Sequence, residues 1–553
     1  MKVFEHSFAR FVYPFLFEAE SFPQRVESVD AATYKAGKTI WTKQRFPEGE
    51  LLPHVARYLN PPQGTPPTAR LWQMDPNAAQ SLEGLGAMRG VEWFLVHRRR
   101  AETPFTLDDV QLVLFRVGVG FLTVKASPKS TELDDWLDFL HYFRFIRRPR
   151  SVSLHAKKRT GIDANKQPVF EDYFPPLAGG LPEGRKRPPV FGDVVDGLLR
   201  SGEVEGETGA WWSEVFIANQ TLPYVVLLVD GVSEQEQYRL LYKLHNSFHS
   251  KEGEHPAPED LRPDQEHLLG YADRQWFVFS LDGGAFVACD PPDSDFFRIN
   301  LPQHLDTQYL LVFLLALHQR FALMGLSEQV TKHWLVEHAA ASDADTQASR
   351  EWVFRRIRDL LLSFTARGHF TQVMQRRHHH RCYLKWQETF QVDQLFQEVN
   401  DEVRDMHGYL LMEKTERIER LSEERKQQAE QQRQEMEDRA QEEADRAKRV
   451  EERLNLLAAF FAVPALILAL LEVLGPDPAW PWVILGLGLG AVGAFSLKKY
   501  LEAGKGETAA DREPADKPPD PTPDAAAEPP PDPQPTAAEQ DPEPPPADEE
   551  PPT

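Results

Sequence analysis

Two apolar segments near the C-terminus, joined by a short polar turn, constrain this chain more than any other feature. Leu454 to Leu474 reads LNLLAAFFAVPALILALLEVL, with one acid, Glu472, near its far end. About 20 apolar residues at about 1.5 Å each match a hydrocarbon core about 30 Å thick. Pro464, in mid-segment, is tolerated inside a membrane helix. Gly475-Pro476-Asp477-Pro478-Ala479 then makes a tight turn, and Trp480 to Leu497, WPWVILGLGLGAVGAFSL, forms the second segment. Its tryptophans fall where an interfacial belt sits. The pattern predicts a two-helix transmembrane hairpin over 454–497. Arg446, Lys448, Arg449 and Arg453 precede it, Lys498, Lys499 and Lys505 follow it, and the turn has no Lys or Arg. The positive-inside rule then puts both termini in the cytoplasm of a bacterial inner (plasma) membrane, as a multi-pass protein.

Small residues recur on the second segment. Gly486 and Gly490 have GxxxG spacing, and Ala494 continues the series, so helices can approach closely there in lipid. Two spans alone cannot enclose a path, so they either anchor the chain or assemble with copies of it. In a homo-oligomer, Glu472 and Asp477 would repeat around an axis as an acidic ring that attracts cations. In a monomer they would be interfacial acids.

Upstream, residues 413–453 contain no Pro or Gly and consist largely of Glu, Arg, Gln, Lys and Ala. These are strong helix formers, and opposite charges recur at helical spacing. A helical stalk of about 60 Å is expected, running unbroken into the first apolar segment. Leu411, Ile418 and Leu421 begin a coiled-coil seam, and Ala440, Ala444, Ala447 and Val450 resume it. Arg425, Gln428 and Gln432 interrupt it, so a loosely packed coiled coil and a solvated single helix both fit. Residues 301–412 read as a helical domain: Tyr309 to Leu326 as a buried core helix rather than a third span, and 351–365 and 392–411 as amphipathic helices.

Residues 1–300 carry the aromatic, strand-forming sequence. Val110 to Lys125 predicts two strands around a bend at Gly118 to Gly120, followed by an amphipathic helix over 132–146. Tyr224 to Val229 is a buried-strand run, 234–248 is helical, and Trp276 to Cys289 is a hairpin turning at Asp282-Gly283-Gly284. A link rich in Pro and Lys over 156–190 separates the two groups. The whole is an α+β chain: a cytoplasmic mixed α/β domain of one sheet or two lobes, a helical stalk, a membrane hairpin, and a disordered acidic tail over 498–553.

About half of the net charge of -23 belongs to that tail, where residues 511–553 hold 13 acids and 2 bases. The excess excludes a nucleic-acid polymer as its partner. Cys289 and Cys382 imply no disulfide framework, and the first 20 residues lack a leader's apolar core. There is no P-loop, dinucleotide fingerprint, HExxH or CxxC, so no enzymatic activity and no cofactor are expected. Gly118-Val119-Gly120 reads as a strand bend, and His378, His379 and His380 as a polar helix end rather than a metal site. Basic residues at 97–100, and Arg144, Arg147 and Arg148, would form an anionic-ligand pocket if they converged.

A cytoplasmic α/β domain, helices running into a first span, a short outer turn, a second span and basic cytoplasmic flanks resemble the CorA-like divalent-cation transporter family. The likeness covers the chain from about Tyr309 onward and the N-terminal part only in plan. It implies a pentamer in the lipid bilayer, its first span lining a pore, with Asn455 near the cytoplasmic end and a divalent cation as the transported ion. The family's Gly-Met-Asn signature is replaced here by Gly475-Pro476-Asp477, so magnesium selectivity does not transfer. Divergent members are associated with type III CRISPR systems and are switched by a small nucleotide-type ligand. The resemblance therefore implies a gated cation channel or transporter. A signal-activated membrane effector and a non-conducting tethered scaffold are the alternatives.

Overall fold

A computed structural model describes residues 1–499 apart from 35–36, 76–90, 98–101, 147–151, 165, 174–190, 205, 208, 218–219, 339–343, 474–480, 482–484, 487, 494 and 497. The chain divides into two compact units, Met1–Arg420 and Leu421–Thr553.

The first unit is built on one mixed sheet of 14 strands. Its middle is β2 (Phe8–Leu16), FARFVYPFL, which is buried along nearly its whole length. Strands covered on both faces read as continuous apolar runs, and this one does. On one side β2 pairs antiparallel with β9 (Val119–Pro128), which pairs with β8 (Thr103–Phe115). Beyond β8 lie β7 (Val91–His97), β10 (Val152–Ile162) and β11 (Pro168–Tyr173). On the other side β2 pairs with β13 (Leu222–Asp230), then come β16 (Gly283–Cys289), β15 (Gln275–Ser280) and β14 (Leu268–Ala272). β13 and β16 run parallel. The short β1 (Lys2–Val3) pairs with the end of β13, β12 (Ser213–Glu214) pairs with β2, β6 (Ala69–Met74) joins β5 (Trp41–Gln44) to β8, and β3 (Thr33–Tyr34) with β4 (Lys38–Thr39) makes a separate two-stranded sheet. Pro14 has no N–H to give a ladder. It falls between Val12, where pairing with β13 ends, and Phe15, where a two-residue strand takes over.

Alternation along β2 sends Phe8 and Val12 to one core and Ala9, Phe11, Tyr13 and Phe15 to the other. The second core is closed by α1 (Phe22–Ala31), α3 (Leu133–Phe143), α4 (Phe191–Leu199) and α5 (Glu234–His245). The first is closed by α2 (Pro53–Leu59), α6 (Leu310–His338), α7 (Ala344–Arg367), α8 (Arg377–Thr389) and the start of α9 (Val392–Val473). The result is three layers, helices on both faces of one sheet. The question of one sheet or two lobes is thereby resolved as one sheet, and residues of 1–300 and 301–412 share one core.

The strand pair at 110–125, the helix after it, the strand at 224–229 and the hairpin at 276–289 appear as expected. Gly118 turns the first pair at φ +89, and an added Cβ would stand 2.4 Å from the Phe17 carbonyl oxygen. At Gly120 it would strike the Phe15 ring. Packing therefore accounts for this GxG. The link expected over 156–190 is corrected: residues 152–173 form the β10–β11 hairpin, with 174–190 outside the described residues. Its first strand carries Lys157, Lys158 and Arg159, and charged residues are common on strands near a sheet edge. The apolar helix Phe296–Lys332 is long enough to cross a membrane, yet 83% of its apolar window is buried in the unit. It is a core helix.

In the second unit α9 continues to Val473 without a break, an 82-residue helix in all. The described residues between 481 and 499 are helical as well. An added Cβ on Gly493 would lie 2.3 Å from the Phe460 ring, so the two apolar segments touch there. The rest of the tail, from 500 on, lies outside the described residues.

Candidate functional site

β2 interrupts its apolar run once, at Arg10. The residue lies on the face that carries Phe8 and Val12, under the entry to α6, with a side chain only 3% exposed. Register puts Arg10 beside Lys125 of β9, and Lys125 beside Asp109 of β8. Three adjacent strands thus bring a row of charge to one face. Arg10 Nη2 donates to Asp109 Oδ2 at 2.7 Å and to Asp306 Oδ2 at 3.1 Å, and Nε donates to Asp306 Oδ1. Lys125 Nζ donates to Asp306 Oδ2 at 2.9 Å. Gln73 and Gln111 side-chain amides each donate to Asp109 at 3.0 Å. Burial opposes the Arg10 charge, but the hydrogen bonds and charges of Asp306 and Asp109 outweigh it and raise the pKa of the guanidinium.

Asp306 comes from an irregular stretch. The chain enters α6 through two π-helical turns, Phe296–Asn300 and Leu305–Tyr309, around one α-turn. Such turns are rare and cluster at functional sites. The Tyr224 hydroxyl fixes the second one by donating to the Leu305 carbonyl at 2.9 Å. A second irregularity faces it. The β8–β9 register skips Asp108 between Leu107 and Asp109, a bulge that leaves Asp108 exposed.

These pieces border a cleft of about 730 Å³, with Lys125 and Asp306 in its lining alongside Asp108, Ser127, Thr131 and Gln303. A neighbouring hollow of about 950 Å³ shares the turn Val3 to His6 with it and extends along Asp230, Pro291 and Pro292. That turn is held by Ser7, whose hydroxyl accepts from Leu228 N at 2.9 Å. The larger hollow lies at the carboxyl ends of the parallel pair β13 and β16, where open sheets with helices on both faces bind ligands. The arrangement can hold a polar molecule through paired charges and hydroxyls.

The residues expected from sequence are placed elsewhere. Arg144 caps the end of α3 and is buried. Its Nη1 lies 3.7 Å from Asp282 and its guanidinium stacks 4.8 Å from the Phe145 ring centre. Arg147 and Arg148 lie outside the described residues. Asn455 and Glu472 are exposed on α9, whereas Asp477 and Ala494 lie outside the described residues. Around Gly486 and Gly490 an added Cβ meets nothing within 4 Å among the described residues, while Gly493 on the same helix face makes the contact to Phe460. His378 to His380 form the first turn of α8, and burial pushes His379 down to about 4. No group of three metal-ligating side chains occurs among the described residues.

Sequence reading missed Arg10, Asp306, Lys125 and Asp108. One signal was present: a lone arginine inside an eight-residue apolar run breaks the local pattern, and such breaks concentrate at functional positions.

Fold and site together define a three-layer α/β unit with a polar cleft, followed by a helical unit with two apolar segments. No protein-family model, curated protein or solved structure matches the chain.

Proposed function

We propose that this chain is a membrane protein in which residues 454–497 form a two-span hairpin and several copies assemble into a cation channel or transporter gated by the α/β unit. The observation that carries this reading is a contrast between two apolar helices. The helix entering at Phe296 hides its apolar residues in a core. In the second unit Leu454, Phe461, Leu466, Leu489 and Phe495 are each at least 60% exposed. A bare apolar helix needs lipid or other helices around it. Exposed Leu411, Ile418, Leu421 and Val450 on α9 add an apolar face available for association along the stalk. Because α9 is continuous from Val392 to Val473, a shift at the α/β unit has a covalent helical route to the hairpin.

Membrane retention is the first test: the chain should stay with the pellet after an alkaline wash, and release into the supernatant would end the proposal. Liposome flux is the second. Purified oligomer should pass cations, and Asp477→Asn should alter cation preference if acids ring the mouth. Replacing Gly486 and Gly490 by Leu should break assembly, whereas an unchanged oligomer would remove the glycine face from the interface.

A second reading is a membrane effector switched by a soluble signal, as in divergent CorA-like proteins of defence systems. The ligand-sized cleft at Lys125 and Asp306 favours it. Flux that appears only with a ligand would separate effector from constitutive transporter. No flux under any condition would leave a tethered scaffold.

A further inference from the structure

We propose that the cleft beside Lys125 and Asp306 binds a small zwitterion of the α-amino-acid class. The site lies within residues 1–420, so the inference goes beyond the channel reading and does not rest on it.

Charge balance selects the ligand. Lys125, Lys129 and Arg298 line the cleft against Glu5, Asp108 and Asp306; Lys129 is also paired with Glu92 at 3.3 Å and Arg298 with Asp293, so both signs of charge border the cleft and Lys125 is the cation paired within it. A simple anion entering here meets carboxylates, and a simple cation meets ammonium and guanidinium groups. A molecule with both charges meets neither penalty, since each of its groups has an opposite partner. The separation matters too. Lys125 Nζ and Asp306 Oδ2 are 2.9 Å apart, and Asp108 adjoins Asp109, the strand partner of Lys125. Opposite charges this close match a ligand that carries its ammonium and its carboxylate on one carbon.

Each pole has spare capacity. Asp108 is exposed, and its carboxylate has no hydrogen bond or ion pair among the described residues, so it is free to take an ammonium. The Lys125 ammonium has three donors, of which one is committed to Asp306. Arg10 also donates to both oxygens of Asp306, so Asp306 retains a cationic partner when Lys125 turns toward a carboxylate. Ser127, Thr131 and Gln303 offer further side-chain donors and acceptors with no partner among the described residues. At about 730 Å³ the cleft falls in the range of small-molecule sites and exceeds the smallest amino acids, leaving room for a side chain.

Isothermal titration calorimetry of the full chain in detergent, against each proteinogenic amino acid, tests the proposal. Propionate and ethylamine serve as single-charge controls, and Lys166→Gln, in the β10–β11 turn, as a distant variant. At least one amino acid should bind saturably, one per chain, with neither control binding and Lys166→Gln unchanged. Asp108→Asn and Lys125→Gln should each weaken binding by about tenfold or more. Asp108 is exposed and unpaired, so its variant remains informative even if Lys125→Gln fails to fold. The proposal is overturned if no amino acid gives a saturable signal, if propionate or ethylamine binds as well, or if Asp108→Asn binds like the parent.

Discussion

Arg10 places a full charge in the middle of the strand that joins the two halves of the sheet, and Asp109 and Asp306 hold it from two directions. Arg10→Met removes the cation and leaves two largely buried carboxylates with Lys125 as their remaining cation. Breaking a buried pair from one side costs about 3–5 kcal/mol. Chemical denaturation should register a loss of that order, and a change below about 1 kcal/mol would show the cluster to be solvated. Histidines supply the second residue-scale prediction. Burial holds His141 and His267 down to about 4, from an ordinary 6.5, and the neighbouring His245 adds to the effect on His267. His141 Nδ1 donates to the Ser247 carbonyl at 2.8 Å, and His267 stacks on His245 with ring centres 3.8 Å apart. The folded form favours neutral rings, so their contribution is complete above about pH 6.5. It is lost as pH falls from there toward about 4. The denaturation midpoint should decline through that window, and His267→Phe should flatten the decline. An identical slope in the variant would mean that His267 is not the group responsible.

Among the helices, α8 shows how one side chain ties layers together. Trp386 fits against the backbone of Gly284, where an added Cβ would come within 2.2 Å of its ring. It also meets Phe279 edge to face, lies tilted against Phe313 and stacks on Phe390, with ring centres 4.6, 4.7 and 5.1 Å away. One residue thus joins β15, β16, α6 and the end of α8. Trp386→Ala opens a cavity at that junction and should destabilise the first unit by about 3–5 kcal/mol in chemical denaturation. A loss under about 1 kcal/mol would mean that the layers close without it. Element identity was well marked in the sequence where periodicity was clean. The helix over 133–143 and the 275–289 hairpin lie close to their expected bounds. The β10–β11 hairpin was not marked, because its strands carry charge rather than an alternating apolar face. The strand Phe8–Leu16 is not legible locally, because its buried flanks belong to residues more than 100 positions away.

At the scale of the whole molecule, the chain divides into two compact units, and their energetic independence is open to test. Gly493→Leu should disturb the helix pair where Phe460 presses on it, lowering the thermal stability of the detergent-solubilised oligomer. The chemical unfolding of the first unit should be unchanged. Concerted loss of both would show that they are energetically coupled, and Phe460→Ala should partly restore the Gly493→Leu oligomer by making space. Sequence alone determined what composition and spacing encode: a mixed α/β region, long helices, two apolar segments with basic flanks and an acidic proline-rich tail. Those are local properties, written in runs of adjacent residues. Only the tertiary structure decided that the strands form a single sheet, that the apolar helix from Phe296 is core, and that Arg10, Asp109, Lys125 and Asp306 meet beside a cleft. Strand register and helix docking bring those four together from positions up to 296 residues apart, and no local pattern specifies such pairings.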